Sequence, residues 1–189
     1  MEQMYIYKDI YLPMKKPVRP MHAINLEHLR SRYYFDDVVE VISQMGLHPL
    51  MMLQCNYNIS LVHQFFSTLV LKGDDAQTLR WMSGPTPCES NFYRFAELLG
   101  YSFDGPNTTG QCLHAPGRPS KDKLYDLYEE TGVVGTITGL LPLYDQLLRI
   151  FRATIAPSGG NNDAIRSALV NLLALAHDCP IDVMDYIFH

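Results

Sequence analysis

From Asn25 to the end of the chain, apolar side chains recur at three- and four-residue spacing in short runs, and glycines and prolines close most of those runs within a few positions. Spacing of this kind builds short helices that pack against one another. Asn25 stands where an N-cap is wanted for a helix through Arg32, although His28 replaces the Glu or Gln of a full capping box. Asp36 or Asp37 opens a second helix with Val38, Val39, Val41, Ile42 and Met45 apolar, and Gly46 sits at its stop. Residues Leu47 to Leu53 are too apolar for an exposed loop and are expected to pass under the core. Asn58 or Ser60 caps the next helix, in which Ile59, Val62, Phe65 and Phe66 repeat at helical spacing.

The period then changes. Thr68-Leu69-Val70-Leu71 and Thr78-Leu79-Arg80-Trp81-Met82 flank a polar, glycine-containing stretch, which reads as one β-hairpin lying on the helices. Ser83-Gly84-Pro85-Thr86-Pro87 breaks the chain, and a helix is predicted from about Cys88 to Leu99, stopped by Gly100. Residues 101–120 hold three glycines and three prolines and form the longest irregular segment. Ser120 caps a predicted helix over Lys121–Glu130, and further helices are expected at Pro142–Ala153, Asn162–His177 and Pro180–Phe188. The expected fold is therefore mainly α: a single helical domain over 25–189 with one β-hairpin, preceded by an extended N-terminal arm over 1–24.

The arm differs from the rest in composition. Lys8, Lys15, Lys16 and Arg19 against Glu2 and Asp9 give it a net +2, so the remainder of this −5 chain carries −7. Its Tyr5, Tyr7, Tyr11 and Leu12 need a surface to cover, in the same domain, a second copy or a partner, and they are the candidate partner-binding residues. Met14-Lys15-Lys16-Pro17-Val18-Arg19-Pro20 reads as a solvated, extended tether rather than an import signal. An acidic body argues against a protein living on nucleic-acid phosphates, and no run approaches the roughly 18 apolar residues of a membrane span. The first residues have no apolar core of a secretory signal and no Arg/Ser-rich transit composition, so cytosol or nucleus is expected, and the sequons at Asn58 and Asn107 carry no weight.

Chemistry-bearing patterns are sparse. Cys55, Cys88, Cys112 and Cys179 form no CxxC pair, and the seven histidines form no HExxH or HxH pair, so neither a metal nor a local Cys–His nucleophile is expected. Gly132-Val133-Val134-Gly135-Thr136-Ile137-Thr138-Gly139 lacks the lysine followed by Ser or Thr of a phosphate loop, and Ser158-Gly159-Gly160 reads as a connector. Asp36-Asp37 and Glu129-Glu130 are neighbours that point about 100° apart on a helix, as solvated groups rather than a catalytic dyad. Phe65-Phe66 with Trp81-Met82 is either an exposed binding patch or, as favoured here, buried core at the hairpin–helix junction. No catalytic residue, cofactor or metal is assigned.

Several segments, in order, carry a family likeness: Gly46-Leu47-His48-Pro49-Leu50, Leu61-Val62-His63-Gln64-Phe65-Phe66-Ser67-Thr68-Leu69, Thr78-Leu79-Arg80-Trp81-Met82-Ser83-Gly84 and Phe95-Ala96-Glu97-Leu98-Leu99-Gly100-Tyr101. Arg152-Ala153-Thr154-Ile155-Ala156-Pro157-Ser158-Gly159-Gly160, Leu169-Val170-Asn171-Leu172-Leu173 and Val183-Met184-Asp185-Tyr186-Ile187-Phe188-His189 continue it. Over roughly residues 35–189 the chain resembles the retrotransposon-like plant proteins abundant in grasses, and more distantly the plant mobile domain. The matching segments are mostly apolar and speak to fold before activity. The resemblance implies a transposon-derived, non-enzymatic protein, since the signatures of an element's polymerase, protease, integrase or zinc knuckle are missing. It implies action by contact with another protein or with itself, in a specific version as one half of a selfish killer and protector pair. The alternative is a nucleic-acid-associated protein of the parent element, using Lys15, Lys16 and Arg19. Members commonly extend past the position matching His189, so a truncated copy put to a new use is the expectation.

Overall fold

A computed structural model describes residues 5, 8–9, 22–32, 35–54, 56–72, 78–101, 119–156, 163–176, 181 and 183–188. Its elements in chain order are α1 (Leu26–Arg30), α2 (Asp36–Gln44), α3 (His48–Met52), α4 (Ile59–Thr68), β1 (Val70–Lys72), β2 (Thr78–Ser83), β3 (Thr86–Asn91), α5 (Phe92–Leu98), α6 (Lys121–Tyr125), α7 (Pro142–Ala153), α8 (Ser167–Ala174) and α9 (Val183–Phe188). The chain divides into two compact units, one formed by Met1–Pro20 with Gln54–Gly100 and one by Met21–Leu53 with Tyr101–His189.

The larger unit is helical and holds most of the apolar core. Val38, Val39, Val41 and Ile42 of α2 are buried, as are Leu147, Leu148, Ile150 and Phe151 of α7 and Leu169, Val170, Leu172 and Leu173 of α8. Helix α7 packs on both α2 and α8, which makes it the centre of the unit. Pro142 starts α7 because a first-turn residue has no intrahelical partner for its N–H. Asn25 caps α1 by accepting from the His28 N–H at 3.0 Å, as the sequence predicts, and Gly46 ends the α2 turn at φ 72°. Leu47–Leu53 contains the short helix α3, with Leu50 and Met51 buried. Helix α6 ends at Tyr125, short of the predicted Glu130.

Beyond α6 the chain turns back on itself. Leu141 N–H donates to the Leu127 carbonyl at 2.9 Å and Glu129 N–H to the Gly139 carbonyl at 2.7 Å. The Tyr128 hydroxyl sits inside the loop, accepting from Gly135 N–H at 3.0 Å and donating to the Thr136 carbonyl at 3.1 Å. A Cβ on Gly139 would fall 2.5 Å from Gly132 Cα, so the loop closes only with glycine there. The Gly132–Gly139 run is thus a self-packed turn around Tyr128, with the Gly135 amide turned inward.

The smaller unit overturns the mainly α expectation. Three antiparallel strands in the order β1-β2-β3 replace the single hairpin, and the described chain is mixed α and β. Strand β3 occupies Thr86–Asn91, where a helix from Cys88 is predicted, and α5 starts only at Phe92. The stretch Ser83–Pro87 is the return of a second hairpin rather than a break: Ser83 pairs with Thr86 across a two-residue turn, Gly84-Pro85. Gly84 at φ 59° followed by the fixed negative φ of proline is the combination of a type II′ turn, whose twist matches the strands it joins. Pro87 is tolerated because β3 is an edge strand. Asn91 then caps α5, its Oδ1 accepting from Arg94 N–H at 2.7 Å. The predicted polar turn 73–77 and most of the irregular segment, 102–118, lie outside the described residues.

Candidate functional site

The strongest surface feature belongs to the smaller unit and begins with an unusual choice of buried side chains. Helix α4 buries Gln64 and Thr68, at 5% and 1% exposure, while Ile59, Leu61 and Phe66 are 50%, 49% and 54% exposed. The hydrogen bonds explain the inversion. Gln64 Nε2 donates to the Gly84 carbonyl and Gln64 Oε1 accepts from Gly84 N–H, both at 2.8 Å. Thr68 Oγ1 donates to the Gln64 carbonyl at 2.6 Å and accepts from Met82 N–H at 2.9 Å. Two polar side chains one turn apart therefore fasten the helix to the β2–β3 hairpin: Gln64 satisfies both backbone groups of Gly84 in the turn, and Thr68 satisfies the Met82 N–H of β2.

At 100° per residue, Gln64 and Thr68 form a narrow stripe, and Leu61, Phe65, Val62, Phe66 and Ile59 fan over roughly 160° beside it. The polar stripe holds the helix down, and the apolar arc ends up on its flank. The Phe65 ring meets Trp81 at 5.5 Å and Phe95 at 6.0 Å, and Trp81 meets Phe95 at 6.3 Å. Phe66 adds to this from outside, edge-on to Phe65 at 5.1 Å. Trp81 and Leu79 share one side of β2 and α4 lies over that side, whereas Arg80 and its ion-pair partner Glu89 alternate to the other. Between α4 and the end of β2 lies an open hollow of about 270 Å³, lined by the half-buried Val62, Phe65 and Trp81 and the exposed Leu61 and Phe66, with Met82, Asn58 and Ser83 at its edge. Among the described residues no ionisable side chain lines it.

This arrangement corrects the expectation of buried core at the hairpin–helix junction. Phe65, Trp81 and Met82 are half-buried and Phe66 is open to solvent. The arm residues are placed less fully: Tyr5 is 60% exposed, while Tyr7, Tyr11 and Leu12 lie outside the described residues, as do Lys15, Lys16 and Arg19. The exposed α4 face was missed because periodicity marks an apolar arc without saying whether it turns inward. The signal that was present is the pair Gln64 and Thr68, two hydrogen-bonding side chains at four-residue spacing inside an otherwise apolar helix.

Other features offer less. A wider hollow of about 540 Å³ in the larger unit is lined by Arg30, Asp36, Glu40, Ser43 and Gln44, all solvent-exposed. Among the described residues no group of three or more His, Cys, Asp or Glu side chains is placed to hold a metal, and no helix is long and apolar enough to cross a membrane. Cys88 is a half-buried thiol opposite Trp81 in the β2–β3 ladder, and Cys55, Cys112 and Cys179 lie outside the described residues. Compared with protein-family models, curated proteins and solved structures, the chain gives no match in any of the three.

Proposed function

We propose that this chain is a non-enzymatic protein that acts by contact with another protein, and that the apolar side of α4 with β2 is the contact surface. The observation that carries this is the inversion of α4. A helix that fastens itself by Gln64 and Thr68 keeps Ile59, Leu61 and Phe66 outside, against the drive to remove apolar area from water. Contiguous exposed apolar surface rimmed by neutral polar groups is the usual mark of a protein-binding face. The finer reading, a transposon-derived plant protein forming half of a killer and protector pair, is supported by the sequence resemblance alone.

The nucleic-acid alternative has a narrow footing among the described residues of the smaller unit: of its four described Lys and Arg side chains, Arg80 is paired with Glu89 and Arg94 with Glu97, and the other two are Lys8 and Lys72. The test is affinity purification from the native tissue with wild-type and Phe66→Asp baits, read by mass spectrometry. A partner held by the wild type and lost by the variant is the expected result. An identical set of captured proteins would refute the assignment of the surface.

A further inference from the structure

The size, shape and charge of the α4–β2 face also select the kind of partner, given the reading above that it is a contact surface. Taking a large side chain as about 150–250 Å², the exposed parts of Ile59, Leu61 and Phe66 with the half-buried ring faces beside them leave about 400 Å² open. A stable interface between folded surfaces uses about 800 Å² on each side, so two copies joined through this face would reach only about half of that. A small molecule is a poor fit for the opposite reason: ligand pockets enclose most of their ligand, and this hollow is open along one side.

We infer that the face takes a single short segment of a partner protein, uncharged where it touches, with one bulky apolar side chain filling the hollow. A recess of about 270 Å³ over Phe65 and Trp81 accommodates one Leu, Met, Phe or Trp anchor. Leu61 and Phe66 are the exposed part of its lining and extend the contact beyond it for the flanking residues. The described lining residues include no ionisable group, so among them a charged anchor finds no counter-charge and would lose its hydration uncompensated. The aromatic lining supplies the fully desolvated centre and the edge of Asn58 and Ser83 supplies neutral hydrogen-bonding groups, the usual division of an anchor site.

The experiment is selection of a random twelve-residue phage-displayed peptide library on the full-length wild-type chain, with counter-selection on Phe66→Asp. Enriched peptides are synthesised and titrated against both proteins by the emission of Trp81, the one tryptophan. The expected result is a consensus with one Leu, Met, Phe or Trp between uncharged positions, and affinity at least tenfold weaker for Phe66→Asp. Leu61→Ser, milder in the same lining, guards against a misfolded first variant, with far-UV circular dichroism as the check on both. Three results overturn the inference: no Phe66-dependent enrichment, a consensus anchored on charge, or a wild-type dimer in sedimentation that Phe66→Asp dissociates. A partner captured from tissue through Phe66, with no peptide enriched, overturns the short-segment inference alone. Capture indifferent to Phe66 overturns the contact surface itself.

Discussion

Exchanging Gln64 for leucine tests the packing of α4 by the sign of its effect. In an ordinary amphipathic helix, a leucine at a position only 5% exposed would add apolar burial and raise stability. Here the substitution removes two hydrogen bonds to Gly84, each worth about 0.5–1.5 kcal/mol net, and leaves a turn N–H and C=O facing a methyl group. The expected loss is about 1–3 kcal/mol. Phe66→Ser gives the complementary number. A buried phenylalanine truncated in a core costs about 3–5 kcal/mol, but more than half of Phe66 is already in water, so about 1 kcal/mol is expected. Urea unfolding followed by the fluorescence of Trp81 reads the smaller unit directly, because the indole packs on α4 and α5 through Phe65 and Phe95. With a slope of about 1–2 kcal/mol per molar urea, Gln64→Leu lowers the midpoint by about 1 M. Phe66→Ser lowers it by roughly half as much or less. The reverse order, with leucine stabilising and serine strongly destabilising, would refute the inverted packing.

Three further outcomes follow from the same reasoning. Phe151→Ala, at a fully buried site on the central helix of the larger unit, is expected to cost about 3–5 kcal/mol in thermal or chemical unfolding. A cost under about 1 kcal/mol would remove α7 from that core. Gly139→Ala puts a Cβ 2.5 Å from Gly132 Cα at φ 73°, so a loss of more than about 1 kcal/mol is expected in the same measurement. A neutral alanine would contradict the loop closure around Tyr128. Arg80→Ala breaks an exposed ion pair with Glu89 and should change stability by no more than about 1 kcal/mol, still less in molar salt. A larger, salt-insensitive effect would mean that the guanidinium has a partner other than Glu89.

How much of this was legible in the sequence depends on whether the deciding interaction is local. Asn25, Asn58 and Ser120 cap helices as their spacing indicates, Gly46 stops α2, and Pro142 opens α7 at the predicted residue. All of these are settled within one helical turn. Strand β3 was not legible because Cys88–Asn91 has no apolar alternation of its own. It is extended because β2 offers a free edge and the Gly84-Pro85 turn sets the register, a pairing between residues up to thirteen apart. Asn91 carried a usable signal, an N-cap just before Phe92, but the apolar period running on from there obscured where the helix begins. The orientation of α4 fails for the same reason at longer range. Its apolar arc is evident in the sequence, whereas the hydrogen bonds that turn it aside join Gln64 to Gly84 and Thr68 to Met82, across another element.

Hydroxyl-radical footprinting of the isolated chain at high dilution, read residue by residue in the mass spectrometer, measures which side of α4 faces water. With Phe66, Ile59 and Leu61 on the outside, their rates, each divided by the intrinsic reactivity of that residue type, come near that of the exposed Tyr125, while Leu79 and Phe151 stay protected. Protection of Phe66 to the level of Phe151 would place the aromatic arc in the core and contradict the contact surface built on it.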